Sequence, residues 1–372
     1  MKLTRSVVKE CLRERAIQVV GPGQFATEPA GEIEDQDLLT DPRYSLYCFD
    51  PENDEAIFVE CDDPEAVDRS AFYYQGQAEH AKALITIPLA RFHELAEQIP
   101  WPEKGLIFAH SVGRCGSTLI SKALAALPQL HSLSEPDDIE QMVNMRGDNT
   151  ITKEWLHQNL RAAAKWRCKP RAGGPFEAVA IKPRAEAMAL IDDFAVCFPN
   201  DRHFFIYRNA ISWMATAFKN FPHDRDVYDK ELNQTMEDRW ATTLPLVVEL
   251  RKPGEPMNPV QVRIVGWITG MEGYVRLYQA VPTSAAIRFE DIETDSESTI
   301  KNLFAHLKID IEDWDAMRRV LSEDSQAGTI YDREERKKAT RPLTPDLLQD
   351  IKDLVASRPS LGTSDVILPG TL

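Results

Sequence analysis

The pattern of apolar and polar positions changes texture near residue 104. Before it, short apolar runs over 44–49 and 56–60 predict two strands, joined by the turn residues Asp50-Pro51-Glu52-Asn53-Asp54. Residues 83–87 predict a third strand and 89–99 an amphipathic helix ending at Pro100, while the acidic segment 28–41 reads as loop. After it, strands over 106–109, 131–134, 179–181, 203–207 and 285–289 take turns with helices over 151–166, 185–194, 210–218, 236–251, 267–279, 298–307 and 345–356. Brief apolar runs separated by helices are what a parallel sheet covered on both faces requires. The pattern predicts a three-layer α/β fold, a central parallel sheet flanked by helices, with an N-terminal α+β extension.

The stretch 105–124, GLIFAHSVGRCGSTLISKAL, joins the first strand of the second part to a helix. Its turn carries Gly113 and Gly116, with Ser117 and Thr118 where the helix begins. A helix start gathers unpartnered backbone N–H groups and the positive end of the peptide dipoles, the general setting for a bound phosphate. An ordinary strand-to-helix turn has the same spacing, so both readings stand here. The Walker pattern G-x-x-x-x-G-K-[ST] is missing: the basic residue, Arg114, precedes Gly116, and no Gly-Lys-Ser/Thr follows. A planar guanidinium at this point suits a tetrahedral anion. The fold expectation is therefore P-loop-like, without the lysine of triphosphate hydrolysis.

Composition narrows the partners. A net charge of −16 over 372 residues argues against general nucleic-acid binding, though not against an anionic small ligand in a locally basic pocket. The six cysteines are scattered with no Cys-x-x-Cys pair, which suggests neither zinc nor a disulfide framework. The N-terminal residues are charged throughout, and no stretch approaches the roughly 18 apolar residues of a membrane span. The expectation is a cytoplasmic protein with no membrane partner.

The octapeptide Val112-Gly113-Arg114-Cys115-Gly116-Ser117-Thr118-Leu119 resembles the 5′-phosphosulfate loop of sulfotransferases that use 3′-phosphoadenosine 5′-phosphosulfate (PAPS). Its arginine is most similar to the tyrosylprotein sulfotransferase and bacterial branch, and it departs from the family in Gly113 for proline and Cys115 for serine. A second segment, 203–219, HFFIYRNAISWMATAFK, resembles the family's 3′-phosphate motif, with Arg208 at a strand end, Thr216 in place of the family's serine and Ala210 in place of its proline. The other reading is that Arg208 pairs with a surface carboxylate and Thr216 bonds a preceding carbonyl of its helix. Residues 179–187, VAIKPRAEA, resemble the strand that carries a lysine near the transferring group, which makes Lys182 its counterpart; 286–292, AIRFEDI, resembles a strand that packs the fold and contributes no chemistry. The segment 325–338 stands where the family has a C-terminal cofactor loop, and Arg336 and Lys337 are its candidate contacts, a solvated basic face being the other reading. The resemblance covers residues 104–344; it implies a nucleotide-binding sulfotransferase-like domain over 101–372 and an accessory segment over 1–100.

What the resemblance implies chemically is in-line transfer of the sulfuryl group to a hydroxyl or amine of a small-molecule, carbohydrate or peptide acceptor, with 3′,5′-ADP leaving and no metal required. Arg114 and Lys182 would stabilise the developing charge, and Arg114, Cys115, Gly116, Ser117, Thr118, Arg208 and Thr216 would hold the donor. Glu135, 21 residues beyond Arg114 in HSLSEPDDI, matches the family's acceptor base. The alternative for Glu135 is a cap on the helix that begins at Pro136. His131 is the reserve base, and His110 reads as structural. The acceptor would be walled by loops around 141–150, 168–175 and 221–231. Rival readings are a P-loop-type phosphotransferase and a non-catalytic nucleotide-binding homologue.

Overall fold

The computed structural model describes residues 1–13, 18–170, 176–218, 230–323 and 343–372. Two five-stranded sheets organise them. The first is antiparallel, order β2-β1-β5-β4-β3, built from β1 (Lys2–Cys11), β2 (Phe25–Glu34), β3 (Tyr44–Asp50), β4 (Glu55–Cys61) and β5 (Ala81–Pro88). β3 and β4 form the expected hairpin, with Asp50 opposite Glu55 and the Asp50 carboxylate accepting from the Asn53 side chain at 2.8 Å inside the turn. The acidic segment expected as loop is in part an edge strand: residues 28–34 pair with β1 and are almost wholly exposed. A strand polar on both faces leaves no alternation to read, and its register is held by backbone pairing with cross-strand Lys9–Glu28 and Lys2–Glu32 ion pairs at 2.8 and 3.3 Å.

The second sheet is parallel, order β10-β9-β6-β8-β7, from β6 (Leu106–Ser111), β7 (Leu130–Ser134), β8 (Ala178–Lys182), β9 (Arg202–Tyr207) and β10 (Ala285–Arg288). Its strands are buried along nearly their whole length and flanked by helices, which is why they read as unbroken apolar runs. The first strand of this sheet, β6, lies at its centre, with later strands on both sides. The strand order therefore switches direction beside β6.

Three helices differ from expectation. Residues 185–194 divide into a 3-10 helix, Ala185–Leu190, and an α-helix, Ile191–Cys197. The span 236–251 holds two helices, Lys230–Ala241 and Pro245–Leu250, because Pro245 lacks the N–H a continuing helix needs. The helix expected at 267–279 runs Pro259–Ala280, opened by a capping box between Asn258 and Gln261.

The chain packs as two compact units, Met1–Phe108 with Leu124–Arg184, and Ala109–Ala123 with Ala185–Leu372. Among the described residues no helix is long and apolar enough to cross a membrane.

Candidate functional site

In the second unit a short turn leads from Ser111 to the helix Ser117–Ala125. Gly113, Arg114 and Gly116 all have left-handed backbone, with φ of 69°, 52° and 80°. For a residue with a Cβ, such as Arg114, this costs about 1–2 kcal/mol and persists only where neighbours over-determine it. Those neighbours are specific. The Val112 N–H and the Cys115 thiol both donate to the Ile206 carbonyl, at 3.2 and 3.1 Å. The Trp213 indole N–H donates to the carbonyls of Gly113 (2.8 Å) and Val112 (3.2 Å). Cys115 is fully buried, so its side chain anchors the loop to β9 and leaves only its backbone to a ligand. Gly116 is required twice over: its φ is positive, and a Cβ there would stand 2.9 Å from the Phe289 ring. Ser117 and Thr118 open the helix, both buried.

The same unit holds the second motif. Arg208 follows the last residue of β9 and donates through Nε to Ser212 Oγ (3.0 Å) and through a terminal nitrogen to Thr216 Oγ1 (3.3 Å). Residues 208, 212 and 216 thus form a ladder at helical spacing, which brings the predicted pair together and adds Ser212. Thr216 also bonds the Ser212 carbonyl at 3.1 Å, the bond to a preceding carbonyl that its place in the helix allowed. The Arg208 guanidinium lies 4.3 Å over the Phe289 ring, the ring that meets Gly116. Glu290 accepts from Ser212 Oγ at 3.0 Å and from the Asn209 N–H at 3.1 Å, fixing the start of the helix Ala210–Phe218. Residues 286–292 therefore supply more than packing: Phe289 touches both motifs. The i, i+4, i+8 spacing could have pointed to Ser212 from sequence; nothing local points to Phe289.

In the first unit, Glu135 follows β7 with a positive φ of 60°. Its N–H donates to the Lys182 carbonyl at 2.6 Å, and its carboxylate forms an ion pair with the Lys182 ammonium at the end of β8. Lys182 is 4% exposed, so the pair is largely shielded from screening by salt. Beyond it, Arg184 Nε stands 4.0 Å from the second Glu135 oxygen and 2.5 Å from Asp137 Oδ1. Burial pushes the Asp137 carboxyl up to about 7, against the pull of Arg184 and of a hydrogen bond from the Val20 N–H.

His110 lies in the core, 2% exposed and stacked on His203 with ring nitrogens 3.1 Å apart; burial holds His110 well below the usual histidine range and His203 at about 4. His131 is buried beside the Arg167 carbonyl, 3.5 Å from Asp68 and stacked on Phe176. Gln141, at the edge of a predicted acceptor wall, instead exchanges two hydrogen bonds with the Phe49 backbone, at 2.7 and 2.8 Å. Arg336 and Lys337 lie outside the described residues, as do residues 171–175 and 221–229 of the predicted acceptor walls. Within the second unit a partly open pocket of about 90 Å³ is lined by Val112, Trp213, Trp240, Leu244, Val262 and Gly266 among others, with Glu186 and Arg263 also on its wall. Among the described residues, no group of three His, Cys, Asp or Glu side chains could hold a metal ion.

No protein-family model matches the chain, and no curated protein does. Solved structures similar to it include the sulfotransferase domain from the curacin biosynthetic pathway, at 16% identity and a TM-score of 0.39, covering 67% of this chain and 97% of that one. A sulfotransferase from Alicyclobacillus acidocaldarius gives 12% identity and 0.42, over 70% and 93% of the two chains. A mouse sulfotransferase complexed with PAP gives 12% and 0.35, over 72% and 88%. Likenesses this distant assign no role to any residue of this chain.

Proposed function

We propose that the protein is a sulfotransferase, moving the sulfuryl group of PAPS to a hydroxyl or amine of a small-molecule, carbohydrate or peptide acceptor. The observation that carries this reading is that one unit holds two features of the kind an anion would need, both against Phe289: the left-handed loop 113–116 and the Arg208–Ser212–Thr216 ladder. A donor phosphorylated on both its 3′ and 5′ sides needs two such features; a triphosphate cradle needs one. The loop suits a phosphate, since a helix begins directly behind its left-handed turn.

On this reading, backbone N–H groups of residues 115–118 hold the 5′-phosphate, and Arg208 with Thr216 holds the 3′-phosphate. The acceptor oxygen bonds to sulfur as the bond from sulfur to the 5′-phosphate oxygen breaks. Arg114 and Lys182 neutralise the charge gathering on the sulfuryl and leaving oxygens, and Glu135 takes the acceptor proton. The donor arrives activated, so the step needs no covalent intermediate. The largely apolar wall of the Trp213–Trp240 pocket favours an acceptor with an apolar face. Residues 1–100 serve the 101–372 domain as an accessory segment. The cysteines among the described residues are all free, which supports a reducing, cytoplasmic setting.

The test is thermal denaturation with 3′,5′-ADP, followed by transfer from labelled PAPS to a panel of hydroxylated and amino acceptors. Stabilisation by 3′,5′-ADP and transfer that falls about 100-fold or more in Arg114→Ala are expected. Transfer from ATP with magnesium, and indifference to PAPS, would overturn the reading.

A further inference from the structure

The first unit encloses the Glu135–Lys182 pair in a set of contacts that the chemistry above does not use. Arg184 lies between two carboxylates, Nε 2.5 Å from Asp137 and 4.0 Å from Glu135, with its guanidinium 4.3 Å over the Tyr74 ring. Tyr74 belongs to the helix Tyr73–His80 of the N-terminal segment and is 2% exposed. The Arg13 guanidinium also lies over that ring, 5.0 Å from its centre, and donates to the Tyr74 carbonyl at 3.4 Å. Asp137, 1% exposed, is held on its other oxygen by the Val20 N–H at 2.9 Å. Three positions of the first hundred residues, Arg13, Val20 and Tyr74, therefore close around a carboxylate and a guanidinium that stand beside Glu135.

We infer that the N-terminal segment acts as a clasp: through Tyr74 and Val20 it fixes Arg184 and Asp137, and these hold Glu135 in its left-handed conformation on Lys182. Arg184, Asp137 and Tyr74 are positioning residues that act through Glu135. The physical case is one of strain and charge. Glu135 has a positive φ, which a residue with a Cβ adopts only where its surroundings impose it. Lys182 and Arg184 both lie within 4.0 Å of its carboxylate, so losing Arg184 removes one of the cations that direct it. A guanidinium stacked on an aromatic ring is rigid, so its second contact, toward Glu135, is set to within the play of that stack. Asp137 is 1% exposed and held by the Val20 N–H, so its place beside Arg184 is fixed. The groups facing Arg184 include Asp137, Glu135, Glu140 and Tyr74, and those facing Asp137 include Arg13.

The inference rests on the role proposed for Glu135, and its test separates the two. Tyr74→Leu, Arg184→Gln and Arg184→Lys are compared with wild type in the full chain by hydrogen exchange at the Glu135 amide and by steady-state transfer from PAPS. The clasp predicts exchange at Glu135 at least tenfold faster in Tyr74→Leu and Arg184→Gln, with exchange in the helix Pro259–Ala280 unchanged. It also predicts kcat lower by tenfold or more, KM for PAPS and 3′,5′-ADP affinity within about threefold of wild type, and part of kcat restored in Arg184→Lys. A Glu135 amide as protected as in wild type in the folded Tyr74→Leu and Arg184→Gln variants overturns the clasp. So does a fall in 3′,5′-ADP affinity as large as the fall in kcat. Faster exchange at Glu135 in a protein that transfers nothing from PAPS upholds the clasp and overturns the sulfotransferase reading instead.

Discussion

Gly116 and Gly254 share a left-handed backbone, φ 80° and 76°, but not their surroundings: a Cβ at 116 meets Phe289 at 2.9 Å, and one at 254 meets nothing within 4 Å. Alanine at 254 should cost only the backbone strain, about 1 kcal/mol, while alanine at 116 adds a clash with a ring wedged between two motifs. Urea denaturation of both variants checks the order, and Gly116→Ala should also lose 3′,5′-ADP binding. At the same scale, Asp137 gives a pH signature. Its carboxyl is raised from 3.8 to about 7, so the folded chain keeps a proton that the unfolded chain has released between those values. That contribution is complete below about 4, declines as pH rises, and is gone above about 7; it amounts to at most about 4 kcal/mol. His203, lowered to about 4, tilts stability the opposite way between pH 4 and 6.5, so the comparison must be of wild type with Asp137→Asn. The variant should lose the downward slope. The identities of Arg114, Glu135, Lys182 and Arg208 could be picked out from sequence because their motifs are local. The left-handed backbone of Arg114 and Glu135 could not, since neither residue type announces it and distant neighbours impose it.

The helix Pro259–Ala280 shows why some elements read poorly. Its glycines lower helix propensity, and its proline at the start hides eight residues of a helix that packing stabilises. Two of those glycines have different tasks. A Cβ at Gly270 would stand 3.0 Å from Val112 Cγ1, behind the loop 113–116, whereas one at Gly266 meets only Leu244, at 3.6 Å, on the wall of the Trp213–Trp240 pocket. Gly266→Leu should fill that pocket, raising acceptor KM about tenfold or more with 3′,5′-ADP affinity unchanged. Gly270→Leu should disturb the loop and weaken 3′,5′-ADP itself. Titrations of the two ligands on the two variants decide this. The edge strand β2 is the converse case, an element formed by pairing alone from residues whose side chains carry no pattern.

On the scale of the whole molecule, the first hundred residues share a unit with Leu124–Arg184 and are tied to it by side chains that sequence leaves mute. Lys169, 4% exposed, donates to the carbonyls of Leu38, Asp41 and Tyr44 at 2.9, 2.6 and 2.6 Å. Trp166 stacks on Phe92, centroids 5.6 Å apart, and donates to its carbonyl. Expressed alone, residues 101–372 would leave that ammonium without its carbonyls and that indole in water, so this fragment should be insoluble or bind 8-anilinonaphthalene sulfonate strongly. A fragment with a sharp, reversible thermal transition would refute this. The sequence by itself determined the alternating α/β class, the parallel strands and the glycine-bearing turn before residue 117, because each is written in neighbouring residues through periodicity, turn chemistry and spacing. Only the tertiary structure decided the placement of β6 at the switch of strand order, the sharing of Phe289 by two motifs, and the enclosure of Arg184 by Tyr74. Those are meetings of residues far apart in the chain, fixed by packing and burial, on which local sequence is silent.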